Sequence, residues 1–228
     1  MTRFTPRPAL LAAAVLALGT TTTAHALDLR DRISVRVGAT QIVPDVESGN
    51  LTPPSFTGTK ADIGPATQLS GGITYWINDR WTVDLPLALP FEHEITGDGA
   101  IAGVGKIGEV KALPITLLGQ YRFGTPQSKV RPYVGLGLTY AKFFEAESTA
   151  ALSALTGGTP ANPTTLKVDD KLAATVQLGA TVQLKPRWSL NLSATYTPLE
   201  TRTTLSTGQT LDAKLNPSSF SIEIAYRY

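Results

Sequence analysis

The residue types best suited to metal binding or acid–base catalysis lie together in the tripeptide Glu92-His93-Glu94. His93 is the single histidine after residue 26, and a carboxylate precedes and follows it. In an extended segment, successive side chains point to opposite faces, so Glu92 and Glu94 would face away from His93. The three groups then cannot hold one ion, and we predict no metal site.

Other reactive groups are equally sparse. The chain has no cysteine, which excludes a disulfide framework, a cysteine-based zinc site and a thiol nucleophile. No serine or threonine is spaced from His93 in a way that indicates an activated nucleophile. Gly103, Gly105 and Gly108 lack the flanking helix pattern of a phosphate loop. We therefore predict no catalytic residue, no cofactor and no enzymatic activity.

A second set of candidates consists of charged side chains on the polar faces of alternating segments. They are Arg36, Asp84, Arg122, Glu223 and Arg227. An arginine or lysine that faces lipid at the middle of a bilayer costs about 2–4 kcal/mol. We predict that these five side chains face the lumen of a barrel and pair there as a packed polar network. An ion-selective pore is the alternative interpretation.

The elements that would position these side chains are strands, because hydrophobicity alternates with period two. In residues 81–91, for example, Trp81, Val83, Leu85, Leu87, Leu89 and Phe91 share one face, and Thr82, Asp84, Pro86, Ala88 and Pro90 share the other. Eight such segments occur, at residues 33–40, 69–77, 81–91, 113–123, 133–140, 171–184, 188–196 and 220–228.

The connections between these segments alternate in length, which is typical of outer-membrane barrels. Short turns near 78–80, 124–129 and 185–187 alternate with long connections near 44–66, 92–110, 142–168 and 199–216. Aromatic residues occur at both ends of the segments, as two interfacial belts require. We predict an all-β, eight-stranded antiparallel up-and-down transmembrane barrel with short periplasmic turns and long extracellular loops. The alternative is a soluble, lipocalin-like barrel with its apolar face inward.

The first 26 residues are predicted to be a cleaved secretory signal. Arg3 and Arg7 precede an apolar run at residues 9–18, and Ala24-His25-Ala26 fits a cleavage site. Residues 27–228 would then form the barrel. Removal of two of the 20 basic residues leaves 18 against 18 acidic ones, so the mature chain is neutral and a nucleic-acid partner is not expected.

Several short stretches closely resemble the OmpW family of small outer-membrane proteins. They are PFEHEI at 90–95, LPITL at 113–117, YRFG at 121–124, RPYVGLGLTY at 131–140, FF at 143–144, NP at 216–217 and the closing YRY. The resemblance implies an outer-membrane barrel of a Gram-negative bacterium that admits small hydrophobic compounds. Two features depart from the family pattern, the lumen midpoint and the last residue. Pro86 and Thr195 stand at the lumen midpoint where bulky apolar residues are usual, and Tyr228 replaces a terminal phenylalanine.

Prolines within the predicted strands indicate where the barrel wall is weakest. Proline cannot donate to a β-ladder, and a closed barrel has no edge to accommodate it. Local bulges would explain Pro86, Pro90, Pro114 and Pro132. The functional hypothesis is a lateral gap at Pro86 and Pro114, through which an apolar molecule reaches the membrane.

The long loops contain apolar residues that would need either each other or a ligand. We predict a hydrophobic funnel formed by Phe56, Ile95, Ile101, Phe143, Phe144 and Leu152. The partners expected from the sequence are outer-membrane lipid and a small hydrophobic solute, with the protein acting as a monomer. The alternative function is a structural or surface-interaction barrel without a transport role.

Overall fold

The computed structural model describes residues 31–228, so the predicted signal peptide lies outside the described residues. Its elements are β1 (Ile33–Val43), β2 (Glu47–Ser48), β3 (Thr59–Ile63), β4 (Ala66–Trp76), β5 (Trp81–Ala88), β6 (Phe91–Gly99), β7 (Lys106–Arg122), β8 (Val130–Ser148), α1 (Ala150–Thr156), β9 (Leu166–Val168), β10 (Lys171–Lys185), β11 (Trp188–Tyr196), β12 (Glu200–Leu205), β13 (Thr210–Lys214) and β14 (Ser218–Arg227).

These strands form the predicted eight-stranded antiparallel barrel. The order around the wall is β1, β4, β5 followed by β6 at one position, β7, β8, β10, β11 and β14. The register between β1 and β14, from Ser34↔Arg227 to Val43↔Ser218, closes the cylinder. Among residues 31–228, no helix is long and apolar enough to cross a membrane.

The apolar face of the barrel points outward. Leu136 and Leu178 are each 66% exposed, whereas Asp84 and Thr175 on the opposite faces are 1% and 2% exposed. This direction excludes the lipocalin-like alternative, in which the apolar face lines the interior. Two aromatic pairs lie near the short turns, as expected of one interfacial belt. Trp81 packs edge to face against Tyr121, and Trp188 packs in the same way against Tyr226.

The long connections are more ordered than the sequence analysis predicted. A strand needs about 9–11 residues to span the membrane. β7 and β8 have 17 and 19 residues, so both extend well beyond the bilayer. A second sheet, in the order β2-β13-β12-β9, covers the outer end. The helix α1 follows β8 directly and is capped by the Thr149 side chain, which accepts a hydrogen bond from the Leu152 N–H.

One assignment to the lipid face was wrong. Phe91 was expected outside with Leu87 and Leu89, but it is 1% exposed and lines the lumen. The strand is broken between Ala88 and Phe91, and residues 89 and 90 shift the alternation by one position. A single shifted residue moves every later side chain to the other face.

Gly137 on β8 allows a close approach between β8 and β7. A β-carbon at Gly137 would overlap the Leu117 carbonyl oxygen and lie 2.8 Å from Leu118 Cα. At Gly119 the nearest atom, the Leu136 carbonyl oxygen, would be 3.8 Å away. The neighbouring backbone therefore excludes any side chain at Gly137, whereas Gly119 has room for one.

We predict that Gly137→Val prevents closure of the barrel, whereas Gly119→Val folds normally. Overpacking costs about 1–3 kcal/mol even where side chains can yield, and backbone yields less. The measurement is the fraction of refolded protein that migrates as the compact, heat-sensitive form in SDS gels. A compact form of Gly137→Val equal to that of Gly119→Val would contradict the explanation.

Candidate functional site

Three of the five predicted lumen charges form the floor of an internal cavity. Arg36 Nη1 lies 2.5 Å from Asp84 Oδ1, and Arg36 Nε lies 2.7 Å from Glu223 Oε2. Thr74 Oγ1 donates to Asp84 at 2.6 Å, and Asn191 Nδ2 donates to Glu223 at 3.2 Å. β1, β5 and β14 thus bring their charges to one level, where each carboxylate has a cationic partner.

The other two charges, Arg122 and Arg227, do not pair with Asp84 or Glu223. Their guanidinium carbons lie 4.6 Å and 4.2 Å from the centre of the Trp76 ring, nearer the periplasmic turns. Arg122 donates to Thr181 and Gln120, each at 2.8 Å. Within residues 31–228 neither arginine forms an ion pair. The five charges therefore do not form one set of ion pairs, because strand register separates them into two levels.

Above the floor, the lumen contains a cavity of about 140 Å³. Pro86 and Thr195, the predicted midpoint residues, both line it. The family's apolar narrowing is not at these positions. Ile63, Val110, Phe143 and Leu215 line both this cavity and a second one above it, so they form the boundary between the two.

The second cavity, of about 80 Å³, is enclosed by the extracellular segments. Ile95, Ile101 and Leu152 are buried in its wall, and Phe143 packs against them. Phe56 also lines it and is 75% exposed, which puts its ring at the rim. These five predicted funnel residues are therefore brought together.

Phe144, the sixth predicted funnel residue, lies elsewhere. It lines a shallow outer groove beside Asp169 and Lys171. Phe143 and Phe144 are consecutive in β8, so they cannot share a face. Sequence reasoning also missed Leu166 and Leu205, which complete the apolar wall. Alternation within the long connections was the signal that would have found them.

The wall of the barrel is interrupted beside the lumen cavity. β5 pairs with β7 from Trp81↔Tyr121 to Asp84↔Leu118, and pairing resumes at Phe91↔Ala112 on β6. Between these points, residues 85–90 have no register partner on β7. Pro86, Pro90 and Pro114 all lie in this interval, whereas Pro132 pairs with Ala180 on another part of the wall.

Apolar side chains border the interruption on its outer side. Leu87, Leu89 and Ile115 are 49%, 54% and 49% exposed. Pro86, Leu87 and Pro114 also line the lumen cavity, so the same residues border the interior and the exterior. The interval therefore lies between the lumen cavity and the apolar outer surface of the barrel.

His93 lies directly above the interruption and faces inward. Its Nδ1 is 2.8 Å from the Gly64 carbonyl oxygen, and Glu92 and Glu94 are exposed on the outer face, which places this level above the hydrocarbon. Burial lowers the pKa of His93 below its ordinary value, so the ring is neutral at pH 7. Among the described residues, no cluster of three or more histidine or acidic side chains could hold a metal ion.

The floor predicts a strong dependence on Arg36. Arg36→Met would leave two carboxylates buried without a counter-ion, and breaking such a pair costs about 3–5 kcal/mol. We expect a large fall in the urea midpoint of unfolding from lipid vesicles, partly restored by adding Asp84→Asn and Glu223→Gln. Lys214→Met, which removes an exposed pair with Glu47, should leave the midpoint unchanged. Equal midpoints for the two single variants would contradict this energetic role.

Comparisons with known proteins agree with this geometry. Residues 31–228 match the model of the OmpW family. The chain is 33% identical over 198 residues to outer membrane protein W of Vibrio cholerae, covering 85% of this chain and 87% of that protein. It is 24% identical over 158 residues to the dibenzothiophene metabolism operon protein PahQ of Pseudomonas aeruginosa, covering 69% and 68%.

The fold also matches a solved outer-membrane structure. The crystal structure of OprG from Pseudomonas aeruginosa aligns with a TM-score of 0.76 and 27% identity, over 87% of this chain and 96% of that one. The family match extends over the whole described chain. The chain therefore belongs to the OmpW family and is an outer-membrane β-barrel protein.

Proposed function

We propose that the barrel admits small hydrophobic molecules from outside the cell and releases them sideways into the outer membrane. The observation that carries the proposal is the unpaired interval of the wall at residues 85–90. Residues of this interval line the lumen cavity, and its outer border is apolar.

The two cavities supply a path to this interval. A solute would first enter the loop cavity, whose wall is almost entirely apolar, and then pass Ile63, Val110, Phe143 and Leu215 into the lumen. Below the lumen, the salt-bridged floor of Arg36, Asp84 and Glu223 opposes descent of an apolar molecule. The side interval is then the exit that requires no passage through a polar region.

The driving force for this path is the hydrophobic effect. An apolar solute gains about 25 cal/mol for each Å² of surface transferred from water to lipid. A solute with about 200 Å² of surface would gain about 5 kcal/mol by leaving the cavity for hydrocarbon rather than for the periplasm. The name of the relative from the dibenzothiophene metabolism operon points to the same chemical class, a compact apolar molecule.

The same geometry bears on the oligomeric state of the functional protein and on the lipid around it. Each barrel contains its own entry cavity, lumen and wall interval, so we propose that the monomer is the functional unit. The outward band of leucine, isoleucine and valine fits outer-membrane lipid, which would receive the solute at Leu87, Leu89 and Ile115.

A cross-link across the interval tests the exit. The chain has no native cysteine, so Leu87→Cys with Ile115→Cys can be joined by a short bis-maleimide in intact cells. We predict that cross-linking lowers the entry rate of an apolar solute such as naphthalene at least several-fold. The matched control is Val83→Cys with Gly119→Cys, which joins residues already paired on the same two strands.

The two cross-links distinguish the side exit from a general loss of flexibility. Cross-linking of the control pair should leave naphthalene entry unchanged. Entry that is unaffected by the Leu87–Ile115 cross-link would contradict the side exit. If the protein does not accelerate entry even before cross-linking, the transport role itself is wrong, and a surface-interaction barrel becomes the better account.

A further inference from the structure

Hydroxyl side chains form two hydrogen-bonded chains around the lumen cavity. The first chain crosses β7, β8 and β10 and ends just after β11. Thr116 Oγ1 lies 2.8 Å from Thr139 Oγ1, Thr139 lies 2.5 Å from Thr175, and Thr175 lies 2.9 Å from Thr197. All four side chains are at least nine-tenths buried and line the cavity.

The second chain continues the pattern on the other side of the closure. Thr40 Oγ1 donates to Ser70 Oγ at 2.7 Å, and Thr40 also lies 2.7 Å from Ser221 Oγ. These residues belong to β1, β4 and β14 and line the same cavity. We call the seven residues of the two chains the hydroxyl belt.

The belt stops where the wall is interrupted. The strand position formed by β5 and β6 presents Pro86, Leu87, Ala88, Phe91 and His93 to the cavity. None of these side chains carries a hydroxyl group, and only the His93 ring at the upper end is polar. The cavity therefore has two kinds of wall. Most of its circumference is rich in hydroxyl groups, and the part at the unpaired interval is mainly apolar. Nothing in barrel closure requires this arrangement, since alanine and valine would also fill inward positions of these strands.

The belt retains hydrogen-bonding capacity after its internal contacts are counted. Each hydroxyl has one donor hydrogen and two acceptor lone pairs. The three contacts of the first chain use three of its four donors, which leaves one O–H and several lone pairs facing the cavity. A ligand can therefore both accept from the belt and donate to it.

The floor of the cavity disfavours a charged ligand. Arg36 is already bonded to both Asp84 and Glu223, so no free counter-ion faces the cavity from this group. A carboxylate or ammonium would be buried without a partner, which is costly. An uncharged polar group would instead exchange its hydrogen bonds with water for hydrogen bonds with the belt.

We propose that the hydroxyl belt is a recognition site for the polar end of a small uncharged amphiphile, such as a primary alcohol, whose apolar tail points toward the wall interval. This inference rests on the proposed function and refines it. The barrel would favour an alcohol over the alkane with the same carbon skeleton, and would reject the corresponding carboxylate.

The test compares 1-hexanol and hexane in cells that express the wild-type protein or Thr139→Val/Thr175→Val. Valine keeps the shape and β-branching of threonine and removes only the hydroxyl. We expect the ratio of the 1-hexanol to the hexane entry rate to fall about two- to tenfold, the contribution of about one hydrogen bond. Thr181→Val is the control, because Thr181 lies on the same strand but below the floor and outside the cavity.

Binding to purified protein separates this inference from the proposed function. Radiolabelled 1-hexanol bound to protein in lipid nanodiscs is measured against empty nanodiscs for the wild type and both variants. Weaker binding only in the double variant supports the belt, even if cells show no accelerated entry of either solute. Equal binding in all three proteins, or an equal loss of 1-hexanol and hexane entry in a folded double variant, would overturn it.

Discussion

The structure depends on one constraint: in hydrocarbon, every backbone N–H and C=O group must find a partner within the barrel wall. Eight strands satisfy it by closing β1 on β14. The ladder fails at one interval of the described wall between β5 or β6 and β7, where Pro86 and Pro114 lie. Proline has no backbone N–H, so an unpaired proline leaves no buried donor without a partner. These residues therefore lower the free-energy cost of interrupting the ladder.

The inner surface complements this interruption. Salt bridges close the lumen from below, because Arg36 neutralises carboxylates from two other strands. Apolar side chains from the extracellular segments narrow the lumen from above, at Val110 and Phe143. The cavity between them is bounded by hydroxyl groups on most sides and by apolar residues at the interval. A salt-bridged floor beside an unpaired, apolar interval of the wall supports the proposal of lateral release rather than of a porin-like channel.

The sequence was sufficient to predict the barrel, because period-two alternation indicates strands and the alternating short and long connections are typical of an outer-membrane barrel. Alternation alone left open whether the apolar face points inward or outward, and the structure shows that it points outward. It also grouped five apolar residues that line the upper cavity, and it placed the charged side chains on the inward faces of their strands. It could not separate Arg122 and Arg227 from the Arg36 network, since register between distant strands determines that grouping. Phe91 was misassigned because the strand breaks at residues 89–90, which shifts the alternation of faces by one position. Phe144 was misassigned because β8 continues through Phe143 and Phe144, so the two rings point to opposite faces.

We propose that the protein admits apolar molecules from outside the cell into the outer membrane. The most direct test is the entry rate of radiolabelled naphthalene into cells with and without the protein, with a polar solute of similar size as the reference. We expect the protein to accelerate the entry of naphthalene and to leave the entry rate of the polar solute unchanged. Equal rates for both solutes in the two strains would contradict it.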